Sequence, residues 1–173
     1  MQSKALIIID FEKEWVNKDS EYFVGDISEV IKKTNQLIDV CRISGYKIIF
    51  TTHVEKNSDG AFAQNTENTE IIDTLHKKVN DILISKNKIS PFFKTTLEQD
   101  LQGIDEVVVC GILTNLCVRS AVQDAYDRDF TIKVIKDCCV SFDTKTQEFT
   151  FSDLKATREE VEFLNLDELI ENK

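Results

Sequence analysis

The sequence predicts a doubly wound α/β domain, a mostly parallel six-stranded sheet with helices on both faces in a Rossmann-like three-layer arrangement. Three observations lead there. Short runs rich in Val and Ile alternate with longer segments of helical period. The runs are apolar at successive positions, so both faces of each strand are expected to be covered, as in a parallel sheet between helices. The chain has 173 residues, 42% of them hydrophobic, with a single Pro and five Gly; that is enough for one core and leaves little linker material. One domain spanning 1–173 is expected.

The strands are expected at residues 5–9 (ALIII), 46–52 (YKIIFTT), 82–85 (ILIS), 106–110 (EVVVC), 131–135 (TIKVI) and 161–164. Residues 26–43 carry Ile27, Val30, Ile31, Leu37, Ile38 and Cys41 at helical spacing. Further helices are expected at 69–79, 95–101 and 117–128, the last with Val118, Ala121, Val122 and Ala125 on one face. Residues 54–67 are polar and read as a long loop. Residues 141–157 read as a loop followed by a helix. Loops of this length often wall an active site. No internal repeat or low-complexity tract occurs.

The charge balance excludes several classes of partner. A formal net charge of -10 argues against nucleic acid, whose phosphates call for a basic face, and against anionic membrane surfaces. No apolar run approaches the roughly 20 residues of a bilayer span. The N-terminal apolar stretch is short and ends in an acid, unlike a signal peptide, so a cytoplasmic protein is expected. The five cysteines, Cys41, Cys110, Cys117, Cys138 and Cys139, lack the spacing of a disulfide framework. There is no CxxC and there are only two histidines, His53 and His76, which argues against a structural zinc site.

In open α/β sheets, ligands bind beyond the carboxyl ends of the strands. Asp10 ends the first expected strand, His53 the second and Lys86 the third, while 111–117 (GILTNLC) follows the fourth. Each taken alone has a plain structural reading: a turn-capping acid, a solvated lysine, a buried small cysteine. Brought to one sheet edge, they form a chemical set. A carboxylate can take a thiol proton, an ammonium can hold a thiolate, and backbone donors can hold an oxyanion. With a helical pattern starting at Cys117, the helix N-terminus is expected to lower the thiol pKa from its usual value of about 8.5.

Three segments, ALIIIDFEKEW, ISKNKISPFFKTTLEQDL and VVVCGILTNLCVRSAVQDAYDRDFTIKVIKDCCVS, together resemble the isochorismatase-like cysteine hydrolases, which include nicotinamidases and N-carbamoylsarcosine amidohydrolases. The resemblance implies Asp10 as catalytic acid/base, Lys86 as catalytic lysine and Cys117 as nucleophile. It implies an oxyanion hole from the backbone N–H groups of Leu113 and Cys117, and a cis peptide between Ile112 and Leu113. Trp15, His53 and Phe92 (the last in the Ser-x-Phe four residues beyond Lys86) are the substrate-binding candidates. No cofactor is implied. The expected partner is a small-molecule substrate, and a homo-oligomer (dimer or tetramer) is expected.

The sequence departs from the pattern at two places. The metal-binding members carry Asp-x-His after the second strand; here the stretch is Thr51-Thr52-His53, and His76 lies in no second metal motif. No metal is therefore expected. Where the family commonly has Gln two residues after the acid, this chain has Glu12. Amide, ureido or carbamoyl hydrolysis through a thioester is the expected activity, since true isochorismatases often lack the cysteine. The rivals are vinyl ether hydrolysis releasing pyruvate and a non-catalytic binding protein on the same fold.

Overall fold

The computed structural model describes residues 3–171. Six parallel strands form one sheet: β1 (Lys4–Ile9), β2 (Lys47–His53), β3 (Ile82–Lys86), β4 (Glu106–Ile112), β5 (Thr131–Val140) and β6 (Glu162–Leu164), in the order β3-β2-β1-β4-β5-β6. The winding runs outward from β1 in one direction and restarts at β4 in the other. Right-handed crossovers then place the connecting helices of the two halves on opposite faces. α1 (Ser28–Ile43) joins β1 to β2, whereas α2 (Leu97–Asp100), α3 (Arg119–Tyr126) and α4 (Thr144–Thr157) serve the other half. α5 (Leu166–Glu171) closes the described chain and packs with α1 against β5. No described helix is long and apolar enough to cross a membrane.

The core follows from the apolar runs. Every residue from Ala5 to Ile9 and from Val107 to Cys110 is fully buried. α1 turns Thr34, Leu37, Ile38 and Cys41 inward, one turn apart or nearly so. It ends where Gly45 takes φ +78° and the Tyr46 N–H reaches back to Cys41 O at 3.0 Å, a Schellman-type stop that needs a residue free to adopt positive φ.

Three expectations are corrected. Residues 69–79 are not a helix. Their backbone is engaged elsewhere: Ile71 bridges antiparallel to Glu12, Ile72 N–H donates to Phe11 O at 3.0 Å, and Lys13 N–H donates to Glu70 O at 2.9 Å. Tertiary pairing overrides a weak helical pattern and still buries Ile72 and Leu75. The fifth strand does not stop at 135; it runs to Val140 through a register shift between Val109 and Gly111 of β4, and Cys138 and Cys139 are buried in it. Helical structure after β4 starts at Thr114, in a π-helical turn (Thr114–Val118) that leads into α3, so Cys117 lies within the first turn and does not open it.

Candidate active site

The reversal of winding lies between β1 and β4, and the crevice beyond their carboxyl ends is where such sheets bind ligands. Asp10 follows β1 directly, with its backbone at φ +51°. Its N–H donates to Thr51 O at 3.1 Å, and Thr51 Oγ1 donates to Asp10 Oδ1 at 2.6 Å. β2 thus fixes the carboxylate through a hydroxyl at the position where the metal-binding pattern has an acid. Lys86, the last residue of β3, crosses beneath β2's end with its side chain wholly buried.

The Lys86 ammonium has three neighbours. Asp10 Oδ2 is 2.6 Å away in an ion-pair contact angled outside hydrogen-bond geometry. Cys117 Sγ accepts at 3.3 Å and Lys88 O accepts at 3.2 Å. Burial pulls the Lys86 pKa down, but Asp10 and the Cys117 sulfur outweigh it and leave the pKa raised, so the lysine is charged. Cys117 is half-buried. Burial first, and then the Asp10 charge, push its thiol up to about 12, with Lys86 opposing. The expected lowering of the thiol pKa is thus reversed: the resting sulfur carries its proton, beside a carboxylate able to receive it.

The turn that carries Cys117 is tied to the end of β5. Thr114 Oγ1 lies 2.9 Å from Val140 O and 3.1 Å from Gln147 Oε1, and Ser141 Oγ donates to Asn115 Oδ1 at 3.1 Å. The Ile112–Leu113 peptide is cis. Among the described residues, the Leu113 amide N–H, which lies outside helix and strand, has no protein acceptor. Gly111, one residue earlier, has φ +144°, and a Cβ there would overlap the carbonyl of Ile9 on β1. Only glycine allows the two strands to approach so closely.

Trp15, in a 3-10 turn (Lys13–Val16), is the centre of an aromatic cluster. Its ring centroid lies 5.1 Å from Phe62 and 6.2 Å from both Tyr22 and Phe142, and Phe62 in turn lies 5.6 Å from His53. The expected candidates Trp15 and His53 are brought together here. Phe92 is not among these ring contacts: its ring lies under the Arg128 guanidinium, 4.6 Å from the centroid, in a groove with Ser90 and Asp124 beside α3. Tyr22, Phe62 and Phe142 were not identifiable from sequence, because they come from irregular segments that show no periodicity.

The residues present do not fit a metal ion. The Thr51 hydroxyl is committed to Asp10, and His53 has its basicity lowered by burial and by Lys86. His76 Nδ1 lies 2.8 Å from Asp39, on the outside of α1. No group of three His, Cys, Asp or Glu side chains among the described residues is arranged to hold an ion.

Fold and site together define a three-layer α/β domain whose crevice presents an acid, a lysine and a thiol in mutual contact. The chain belongs to the isochorismatase family, whose domain model matches residues 4–162. It is 26% identical over 165 residues to Nicotinamidase 3 of Arabidopsis thaliana, covering 87% of this chain and 79% of that protein. It is 24% identical over 171 residues to the ureidoacrylate amidohydrolase RutB of Serratia proteamaculans, covering 79% of this chain and 69% of the relative. An isochorismatase family protein from Desulfovibrio vulgaris superposes with a TM-score of 0.91 at 20% identity, over 99% of this chain and 98% of the other, which shows the shared fold.

Proposed function

We propose that the protein hydrolyses a small amide, ureido or carbamoyl compound through a thioester on Cys117. The observation that carries this reading is the Lys86 ammonium held between Asp10 at 2.6 Å and Cys117 at 3.3 Å in a buried crevice. The amidohydrolase activity named for two of the relatives supports it.

The thiol is protonated at rest, so attack on the substrate carbonyl carbon needs a base. Asp10 takes the proton as the S–C bond forms, and Lys86 holds the pair in register. The carbonyl oxygen, now an oxyanion, is received by the Leu113 and Cys117 N–H groups. Asp10 returns the proton to the departing nitrogen, which leaves as ammonia or an amine as the C–N bond breaks. Water, deprotonated by Asp10, then attacks the thioester; the acid is released and the thiol regains its proton. The test is a panel of small amides and ureides scored by ammonia release, with wild type and Cys117→Ala compared. Ammonia release lost in the variant is the expected result. Equal release by both, or pyruvate release from an enol ether that survives Cys117→Ala, would overturn the reading.

A further inference from the structure

Glu12 is wholly buried two residues beyond Asp10, and neither of its carboxyl oxygens has a hydrogen-bond partner among the described residues. Buried polar atoms without partners are rare and call for an explanation. Two more lie close by: Trp15 Nε1 and His53 Nδ1 are also buried and unpartnered. The Trp15 indole N–H and the His53 backbone N–H both face the Glu12 carboxyl from outside hydrogen-bond geometry. Three segments, at the ends of β1 and β2 and in the 3-10 turn, thus gather unsatisfied polar groups at one buried place next to Asp10.

The charges around that place are one-sided. Asp10 on β1 and Lys86 on β3 both act on Glu12, and His53 on β2 has its pKa lowered. Lys86 is the one cation among the buried charged residues described, and Asp10 already holds it at 2.6 Å. Burial first, and then the Asp10 charge, raise the Glu12 pKa to about 10, so the carboxyl stays protonated and uncharged at neutral pH.

We propose that Glu12 determines substrate specificity: its neutral carboxyl, with the Trp15 indole N–H beside it, hydrogen-bonds an uncharged amide or ureide and turns away compounds that carry a carboxylate. This rests on the amide-hydrolase reading above and narrows its substrate class. A protonated carboxyl presents a donor and an acceptor side by side, the complement of an amide's carbonyl and N–H. A carboxylate on the ligand would bring negative charge into buried surroundings whose single cation, among the described residues, is already paired.

The test uses the Cys117→Ala protein and three ligands with one ring and three charges: benzamide, benzoate and benzamidine. The chain's single Trp is Trp15 itself, so its fluorescence reports a ligand that arrives beside Glu12. Benzamide is expected to bind about tenfold or more tighter than either ion, and Glu12→Leu in the same background to lose about that factor for benzamide, the cost of leaving amide groups unpaired. Glu12→Gln, which restores a neutral donor and acceptor, is expected to rescue the preference, and it serves alone if the Leu variant does not fold. Benzoate or benzamidine binding as tightly as benzamide, no benzamide binding at millimolar concentration, or a Gln variant that loses the preference would overturn the assignment. The two readings fail separately. Selective benzamide binding with no ammonia released from any amide sinks the hydrolase reading alone. Ammonia released preferentially from carboxylate-bearing amides sinks the role of Glu12 alone.

Discussion

At the amino end of the sheet, Glu106 heads β4 with Lys4 at 3.1 Å and Lys133 at 3.2 Å. At the carboxyl end, Asp10 meets Lys86 at 2.6 Å. Both are buried carboxylates among lysines, but their surroundings differ. Lys4 and Lys133 keep 29% and 19% of their side-chain surface exposed, so their ammonium groups remain partly hydrated, whereas the Asp10–Lys86 pair retains 0% on both sides. The outer cluster is ordinary electrostatic fastening. The inner pair bears a full desolvation cost, and in exchange it includes a third member, the Cys117 sulfur. The comparison separates a charge cluster that serves the fold from one the fold must carry.

Turnover gives the sharpest break between the two ends. Cys117→Ala or Asp10→Asn is expected to lower kcat/KM on the order of 10³-fold or more, whereas Glu106→Gln stays within about twofold. Steady-state kinetics on whichever amide the panel identifies decides it; a Glu106→Gln loss as large as that of Asp10→Asn would erase the distinction. Stability comes next. Asp10→Leu strands a buried ammonium and is expected to cost about 3–5 kcal/mol, while Glu106→Gln, with partly hydrated partners, costs about 1 kcal/mol. Denaturant titration of each, and of Asp10→Leu with Lys86→Met, measures the contrast. The double variant is expected to be more stable than Asp10→Leu alone, and a double variant that is less stable would deny the pairing.

The raised thiol pKa predicts how Cys117 meets iodoacetamide. Its thiolate fraction grows about tenfold per pH unit below a pKa of about 12, so the alkylation rate is expected to climb from pH 7 to 10 without a plateau. Mass mapping is expected to find Cys117 modified first, because the other four cysteines are buried. A plateau below pH 8 would mean a thiolate formed in advance and would leave Asp10 without its first task. The last effect concerns Glu12. Its pKa rises from the ordinary 4.5 to about 10 on folding, so the native state holds a proton that the unfolded chain releases across that window. The stabilising contribution is fully present below pH 4.5 and is lost as pH rises toward 10. Thermal melts are therefore expected to show Glu12→Gln gaining on wild type between pH 5 and 9, and an unchanged difference across that range would contradict a neutral Glu12.

Much of this was legible in the chain. The apolar runs placed the starts of the six strands to within a residue, and the central strands β1 and β4 are apolar beyond their first residues because both of their faces are covered. They also put Asp10 and Lys86 at strand ends. Local pattern could not reveal what partners supply: residues 69–79 look helical until Phe11 and Lys13 take up their backbone groups, and β5 looks finished at Ile135 until the register shift carries it on. The thiol was misjudged for the same reason. A helix terminus can be read from sequence, whereas the depth of burial and the Asp10 charge, which dominate the Cys117 titration, exist only in the folded molecule. Glu12 was visible as an exchange of Gln for Glu, but the burial of its carboxyl without a hydrogen-bond partner among the described residues was not.

The hydrogen atom that Gly111 carries in place of a side chain has a consequence for how this site can vary. Asp10 hangs from the end of β1 and Cys117 from the turn after β4, and these two strands are as close as they are because nothing projects from Gly111 toward Ile9. The gap between the backbone points that carry acid and thiol is thus inherited from strand spacing. Neighbouring residues such as Trp15, Phe62 or Glu12 are free to drift without disturbing that gap. A single methyl at position 111 would act as a wedge between the two strands and part the acid from the thiol, with every catalytic side chain still in place.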